Sequence, residues 1–332
     1  MAKALITGAD GLLGSNLTRE LLARGYAVRA FVHPASKAPT LDGLPVEIVR
    51  GDVTEPEAVD AAVAGVDYVF HCAAITDMRA PHSLVWAVTL EGTRNIAEAC
   101  LKHKVRRLLF TGSASSYQFG PQRAPGTEAG DFPTVYRGVD YMESKYAAAM
   151  LIKQYAAERG LEAVTLAPTF MLGPYDSRPS SGELIQQFIV RKLRFASPGS
   201  RNFVYVGDVA HAMANAAERG RPGETYLLAG ENLSYLDFFA TVARLADVPA
   251  PLGAVPAALL RTVGMAGSGY EKLTGKHALL NDKLAHFACL ETCYTPARAV
   301  AELGMPQTSV ETGVAASISS LRSYGHLPQG AN

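Results

Sequence analysis

The chain has 332 residues, and its 31 lysines and arginines balance 31 aspartates and glutamates to give a formal net charge of zero. A hydrophobic content of 48% can bury a sizeable core, as one large α/β domain or a large domain with a smaller appendage, and excludes a disordered or fibrous chain. The charge balance removes the basic excess that marks a nucleic-acid or anionic-membrane partner.

From the N-terminus, Lys3–Thr7 is a short apolar run that predicts a strand, followed by a glycine-containing turn and a helical stretch over residues 12–24. Gly25 suits a helix C-terminus, and residues 26–32 read as the second strand. Further strands are expected at 46–49, 68–71, 107–111 and 163–166, with helices near 55–63, 84–102 and 141–158 between them. This alternation predicts a parallel sheet covered on both faces, and right-handed crossovers make it doubly wound, of Rossmann type. After Pro168 the rhythm breaks at Pro174, Pro179, Gly182, Pro198 and Gly199. A strand at 202–206, a helix at 209–219, a strand at 225–229, a helix at 236–246 and a mostly helical tail over 251–324 follow.

Residues 251–265 are apolar but short, and Pro256 and Gly264 break them, so they read as an amphipathic surface or core helix, with a peripheral membrane contact as the lesser alternative. No apolar run reaches the roughly 18 residues of a bilayer span, and the first residues enter a strand without a signal peptide. Stable membrane insertion is not expected. The four cysteines, Cys72, Cys100, Cys289 and Cys293, form neither a disulfide framework nor a zinc site. They suit reduced thiols, a cytoplasmic location and no metal.

The first strand leads into Thr7-Gly8-Ala9-Asp10-Gly11-Leu12-Leu13-Gly14, a G-x-x-G-x-x-G loop that opens a helix. Glycines let the backbone approach a pyrophosphate, and a helix N-terminus offers free N–H groups and the positive end of its dipole. Gly8, Asp10, Gly11, Leu12 and Leu13 are therefore the expected cradle of a dinucleotide. Residues 1–168 form the dinucleotide-binding domain in this reading. Residues 169–332 form a smaller substrate-binding part, mostly helical, that lends some elements to the main sheet. The second strand ends in Val32-His33-Pro34-Ala35-Ser36-Lys37 without the acid that grips a ribose in NAD sites. His33, Ser36 and Lys37 are placed to contact a 2′-phosphate, so NADP is expected, with NAD as the alternative.

Tyr141-Met142-Glu143-Ser144-Lys145 places a phenol and an ammonium one helical turn apart on a shared face. A tyrosine pKa near 10 is too high for a base at neutral pH. The Lys145 charge, with the positive ring of an oxidised nicotinamide, is expected to lower it. Tyr141 then moves the proton that accompanies hydride transfer, and Lys145 also holds the nicotinamide ribose. Serines ending the fifth strand, in Thr111-Gly112-Ser113-Ala114-Ser115-Ser116-Tyr117, lie where ligands bind in such sheets. A hydroxyl there can stabilise charge on the substrate oxygen.

With these segments the chain resembles an extended short-chain dehydrogenase/reductase of the NAD-dependent epimerase/dehydratase family, in its dihydroflavonol-reductase-like branch. Gly51-Asp52-Val53 resembles the family's adenine-contacting segment, and His71-Cys72-Ala73-Ala74 the H-x-A-A that lines the cofactor. The resemblance makes Ser113 the catalytic hydroxyl beside Tyr141 and Lys145. It also sets Pro168 and Thr169 beside the nicotinamide, although Ala167 replaces the usual arginine. Residues 201–210 resemble the late substrate-side motif. Thr89 stands where relatives often carry an asparagine that orders a proton-relay water.

Several reactions share this scaffold. Dehydratases of the family place acids directly after the catalytic hydroxyl, whereas Ala114 and Ser115 follow Ser113 here. The favoured reading is an oxidoreductase for a carbonyl or alcohol of a fairly apolar small molecule. Thr76, Met78, Ser115, Tyr117, Phe170, Phe188 and Arg201 are the candidate substrate residues. A nucleotide-sugar epimerase with tightly bound NAD is the alternative, because Arg201 can contact a diphosphate. A non-catalytic cofactor sensor is the remote one, since such relatives usually lose the tyrosine or lysine. The resemblance also implies a homodimer through residues 84–102 and 141–158, with Ala147, Ala148, Leu151 and Tyr155 as an apolar stripe.

Overall fold

The computed structural model describes residues 1–275, 278 and 281–329. Its strands are β1 (Lys3–Thr7), β2 (Ala27–Val32), β3 (Glu47–Arg50), β4 (Tyr68–His71), β5 (Arg107–Thr111), β6 (Ala163–Pro168), β7 (Phe170–Leu172), β8 (Ser200–Tyr205), β9 (Thr225–Leu228), β10 (Glu231–Ser234) and β11 (Glu291–Thr292). The helices are α1 (Leu12–Ala23), α2 (Pro56–Val63), α3 (His82–Trp86), α4 (Gly92–Lys102), α5 (Asp140–Arg159), α6 (Gly182–Arg191), α7 (Val206–Arg219), α8 (Tyr235–Ala246), α9 (Ala257–Thr274), α10 (Asp282–Ala288), α11 (Ala297–Leu303) and α12 (Val310–Ser323). No described helix is long and apolar enough to cross a membrane.

Seven strands pair in parallel in the order β3-β2-β1-β4-β5-β6-β9, a Rossmann-like sheet. Strands apolar on both faces need cover on both. Leu13, Leu17, Val209 and Met213 of α1 and α7 cover one side, and Val59, Ile96 and Ile152 of α2, α4 and α5 cover the other. The order reverses between β1 and β4, which opens a crevice at their carboxyl ends. β9, from beyond residue 168, completes the sheet against β6.

A second sheet is built on β8, which pairs antiparallel with β10 and parallel with β7 and β11. It shares an aromatic core with α6, α8 and α12, where Phe203 stacks on Phe238 at 4.1 Å and Phe188 on Phe239 at 4.6 Å. Strands as short as β7 and β11 leave no periodic trace in sequence, and they are set by their pairing with β8.

Two expectations change. The helix expected over 84–102 is α3 and α4 joined by a π turn at Ala87–Glu91. There the Thr93 hydroxyl donates to the Thr89 carbonyl at 2.6 Å, a back-bond that competes with regular helix pairing. Of the expected dimer stripe, Ala148, Leu151 and Tyr155 are buried inside the monomer, and the Tyr155 hydroxyl donates to Glu98 at 2.7 Å.

Candidate active site

The crevice at the switch point is a cavity of about 420 Å³. Its floor is the glycine loop. Gly8 takes a left-handed φ of 63°, and a Cβ on Gly14 would lie 2.1 Å from the Gly8 carbonyl oxygen, so the loop folds back on α1 only with glycine there. Gly11 gives α1 no side-chain cap, and the first turn of α1 carries no acid. Asp10, just before the cap, is paired with Arg178, and the glycine loop at the α1 N-terminus fits a dinucleotide phosphate.

Buried hydroxyls fix the far wall. The Thr7 hydroxyl accepts from the Cys72 and Ala73 N–H groups, both at 3.2 Å, and donates to His71 Nδ1 at 2.7 Å. His71 then carries its proton on Nε2 and donates to Thr93 Oγ1 at 3.0 Å. Burial, with the Lys145 charge adding to it, pushes His71 down to about 3, so the ring stays neutral. This chain ties β1, β4 and the π turn across the crevice. The buried Thr89 Oγ1 in that turn has no hydrogen-bond partner among the described residues.

β5 and α5 bring the proton-handling groups together. Lys145 is buried and its Nζ donates to the Thr111 carbonyl at 2.8 Å. Burial lowers its pKa to about 8. Ser113 caps the turn after β5, sharing a 2.7 Å hydrogen bond with the Ser115 hydroxyl. The half-buried Tyr141 faces Ser113. Its pKa lies above the ordinary phenol value because burial outweighs the opposing Ser113 hydroxyl and Arg201 charge. The lowered tyrosine pKa expected from sequence is not found, because the Lys145 ammonium is turned to the Thr111 carbonyl and burial dominates at Tyr141.

Ser113, Tyr141, Pro168 and Thr169 also line a second cavity of about 130 Å³. Its remaining wall includes Ser115, Tyr136, Phe170, Arg201 and Tyr294. The Arg201 guanidinium lies over the Phe170 ring at 4.7 Å. Gly8, Asp10, Gly11, Leu12, Leu13, Ala73, Ala74, Thr76 and Lys145 line the larger cavity.

Other expected residues lie elsewhere. His33 and Asp52 face each other at 3.5 Å beyond the end of β2, and Lys37 is exposed. Val53 is buried against Gly92. Of the substrate candidates, Met78 is exposed, and the Tyr117 hydroxyl is turned to Thr225 at 3.0 Å. Phe188 belongs to the aromatic core, stacked on Phe239, and lines neither cavity. Sequence reading missed Tyr136, Thr292 and Tyr294, and also Arg178, whose Nη2 donates to Asp10 at 2.6 Å. Asp10 also accepts from Ser36. Only folding joins these positions, so no local signal could have found them.

The NAD dependent epimerase/dehydratase family matches residues 4–229. The chain is 33% identical to sterol demethylase protein B of Methylococcus capsulatus, over 79% of this chain and 80% of that protein. It is 28% identical to a putative dihydroflavonol 4-reductase of Synechocystis, over 97% of this chain and 95% of that protein. A nucleoside-diphosphate-sugar epimerase from Pseudomonas aeruginosa superposes with a TM-score of 0.80 at 26% identity, covering 98% of this chain and 99% of that one.

Proposed function

We propose that the chain, which belongs to the NAD dependent epimerase/dehydratase family, is an oxidoreductase interconverting a carbonyl and an alcohol on a small, fairly apolar molecule. The observation that carries this reading is the wall common to the two cavities, where Tyr141 faces Ser113. A nicotinamide dinucleotide would supply the hydride donor or acceptor. Gly8, Gly11, Leu12, Leu13 and Lys145 would hold it in the larger cavity. No acid ends β2, and His33, Ser36 and Lys37 follow it, which favours NADP over NAD.

The chain's own groups handle the proton. Ser113 Oγ donates a hydrogen bond to the substrate oxygen, and Tyr141 Oη gives that oxygen a proton in reduction or takes one in oxidation. The raised pKa of Tyr141 keeps its proton on at neutral pH, which suits the reductive direction. The Arg201 charge, which acts to lower the Tyr141 pKa, favours the phenolate left after transfer. Tyr136, Phe170 and Tyr294 give the smaller cavity aromatic walls for an apolar substrate. The four free thiols support a cytoplasmic location, and a homodimer through the outer faces of α4 and α5 remains the proposed assembly.

One observation favours a second reading, a nucleotide-sugar epimerase with retained NAD. Arg201 lines the smaller cavity without an ion-pair partner among the described residues, as a site for a diphosphate requires. A screen of hydrophobic ketones, alcohols and nucleotide sugars that follows cofactor absorbance separates the two. Net cofactor turnover on ketones or alcohols is the expected result. Sugar interconversion without net turnover would replace it with the epimerase.

A further inference from the structure

Ten of the fifteen exposed large apolar side chains among the described residues lie between positions 190 and 284. Six of them, Val190, Leu193, Phe195, Leu252, Leu259 and Val263, sit on two segments joined to one another. α6 ends at Arg191, Lys192 takes a left-handed φ of 50°, and residues 191–195 are all exposed. Phe195 in this run is 56% exposed. The backbone joins the run to the start of the α9 segment, with the Leu252 N–H donating to the Arg194 carbonyl at 2.8 Å and the Ala196 N–H to the Gly253 carbonyl at 3.0 Å. α9 packs on α10 through Gly264, where a Cβ would meet the Ala285 Cβ at 2.5 Å. Gly264 is the one buried residue of α9, so Leu259 and Val263 join Val190, Leu193, Phe195 and Leu252 in facing solvent.

The exposed run and the first part of α9 are basic. Residues 184–196 and 251–270 carry Arg191, Lys192, Arg194 and Arg261, and the acids of α6, α9 and α10, Glu183, Glu271 and Asp282, lie outside those two stretches. None of the four cations has an ion-pair partner among the described residues. A net charge of zero for the whole chain conceals this local excess.

We propose that this face docks on an anionic lipid bilayer surface, with the apolar side chains entering the headgroup boundary and the cations meeting lipid phosphates. Alternation of cations with Val190, Leu193 and Phe195 is the pattern an anionic interface selects. A second copy of the chain fits poorly, because a twofold contact would set the cations of this face against themselves. The face adjoins the smaller cavity. α10 carries Phe287, which packs edge-on against Tyr136 at 5.7 Å, and Thr292 and Tyr294 of the cavity wall follow α10. Docking therefore sets the cavity beside the lipid, where apolar molecules collect. The proposal stands independently of the reaction assigned above.

The test is co-sedimentation of the full-length protein with vesicles of phosphatidylcholine alone or mixed with phosphatidylglycerol. Binding is expected on the anionic vesicles, weaker binding on the neutral ones, and loss of binding as salt rises. Each cation near such a surface contributes about fivefold in affinity, so R191Q/K192Q/R194Q should bind roughly 100-fold more weakly. L193S/F195S should also weaken binding, and circular dichroism should show both variants folded, since these positions are exposed. Absent sedimentation of the wild-type protein with phosphatidylglycerol vesicles at low salt overturns the proposal. Unchanged partition of both variants does the same. Lipid-free self-association that disappears in the same variants also overturns it, by assigning the face to a second copy.

Discussion

Lys145→Met should make the protein more stable while removing its activity. The lysine is 3% exposed, and burial moves its pKa from 10.5 to about 8, a preference for the neutral amine of roughly 3 kcal/mol. Below about pH 8 both the folded and the unfolded chain carry the protonated lysine, and the folded state bears that penalty in full. Between about pH 8 and 10.5 the unfolded chain retains a proton that the folded chain has released, so stability rises with pH through this window. Methionine fills similar space without charge and forfeits one charge-assisted hydrogen bond to the Thr111 carbonyl, worth about 2 kcal/mol. The balance is a gain of about 1 kcal/mol at pH 7, with no turnover, an instance of stability given up at a reactive site. Urea unfolding of the cofactor-free protein and the variant, at pH 7 and again near pH 10, measures both quantities. Taking the difference between the two proteins cancels the tyrosines that titrate in the same range. The gap should close and then reverse as pH rises toward 10. A variant less stable than wild type at pH 7, or a gap that does not narrow, would show that burial does not set the state of this lysine.

Tyr141→Phe should lower kcat at least about 100-fold while cofactor affinity stays within a few-fold, and surviving turnover would falsify the proton-transfer role. Gly14→Ala should cost several kcal/mol and abolish cofactor binding, because its Cβ would sit 2.1 Å from the Gly8 oxygen and 2.7 Å from Ala9 Cα. A thermal melt with a cofactor titration checks it, and wild-type behaviour would mean the loop folds differently. Thr89→Val should leave stability unchanged or raise it by about 1 kcal/mol, since it deletes a buried hydroxyl that has no partner among the described residues. A marked loss of stability in urea would reveal a partner for that hydroxyl.

The alternation of strands and helices over the first 168 residues was legible because most strands carry a short apolar run between glycine or polar turns, although β3 is a short Glu-Ile-Val-Arg segment and α5 has no one-sided apolar pattern. Boundaries moved by a residue or two where local pairing decides them, as at β8, which starts at Ser200 and gives Val206 to α7. The glycine loop and the Tyr141–Lys145 spacing were legible for a related reason. Each lies within one element, where backbone geometry converts sequence spacing directly into spatial proximity. Phe188 illustrates the limit. An aromatic residue in an apolar stretch reads the same whether it faces a cavity or a core, and only its stack on Phe239 decides.

By itself, then, the sequence determined the parallel sheet, the phosphate-binding turn and the presence of a phenol and an ammonium on one helix face. The tertiary structure decided what those groups experience. Burial around Lys145 and Tyr141 sets their protonation, and that depends on atoms from β5, β8 and the turn at Ser113 rather than on the four-residue spacing. It also decided the walls of the smaller cavity, where Tyr136, Phe170, Arg201 and Tyr294 converge from distant positions. Contacts of that range are fixed by packing free energy summed over the whole core, which no local pattern of residues records.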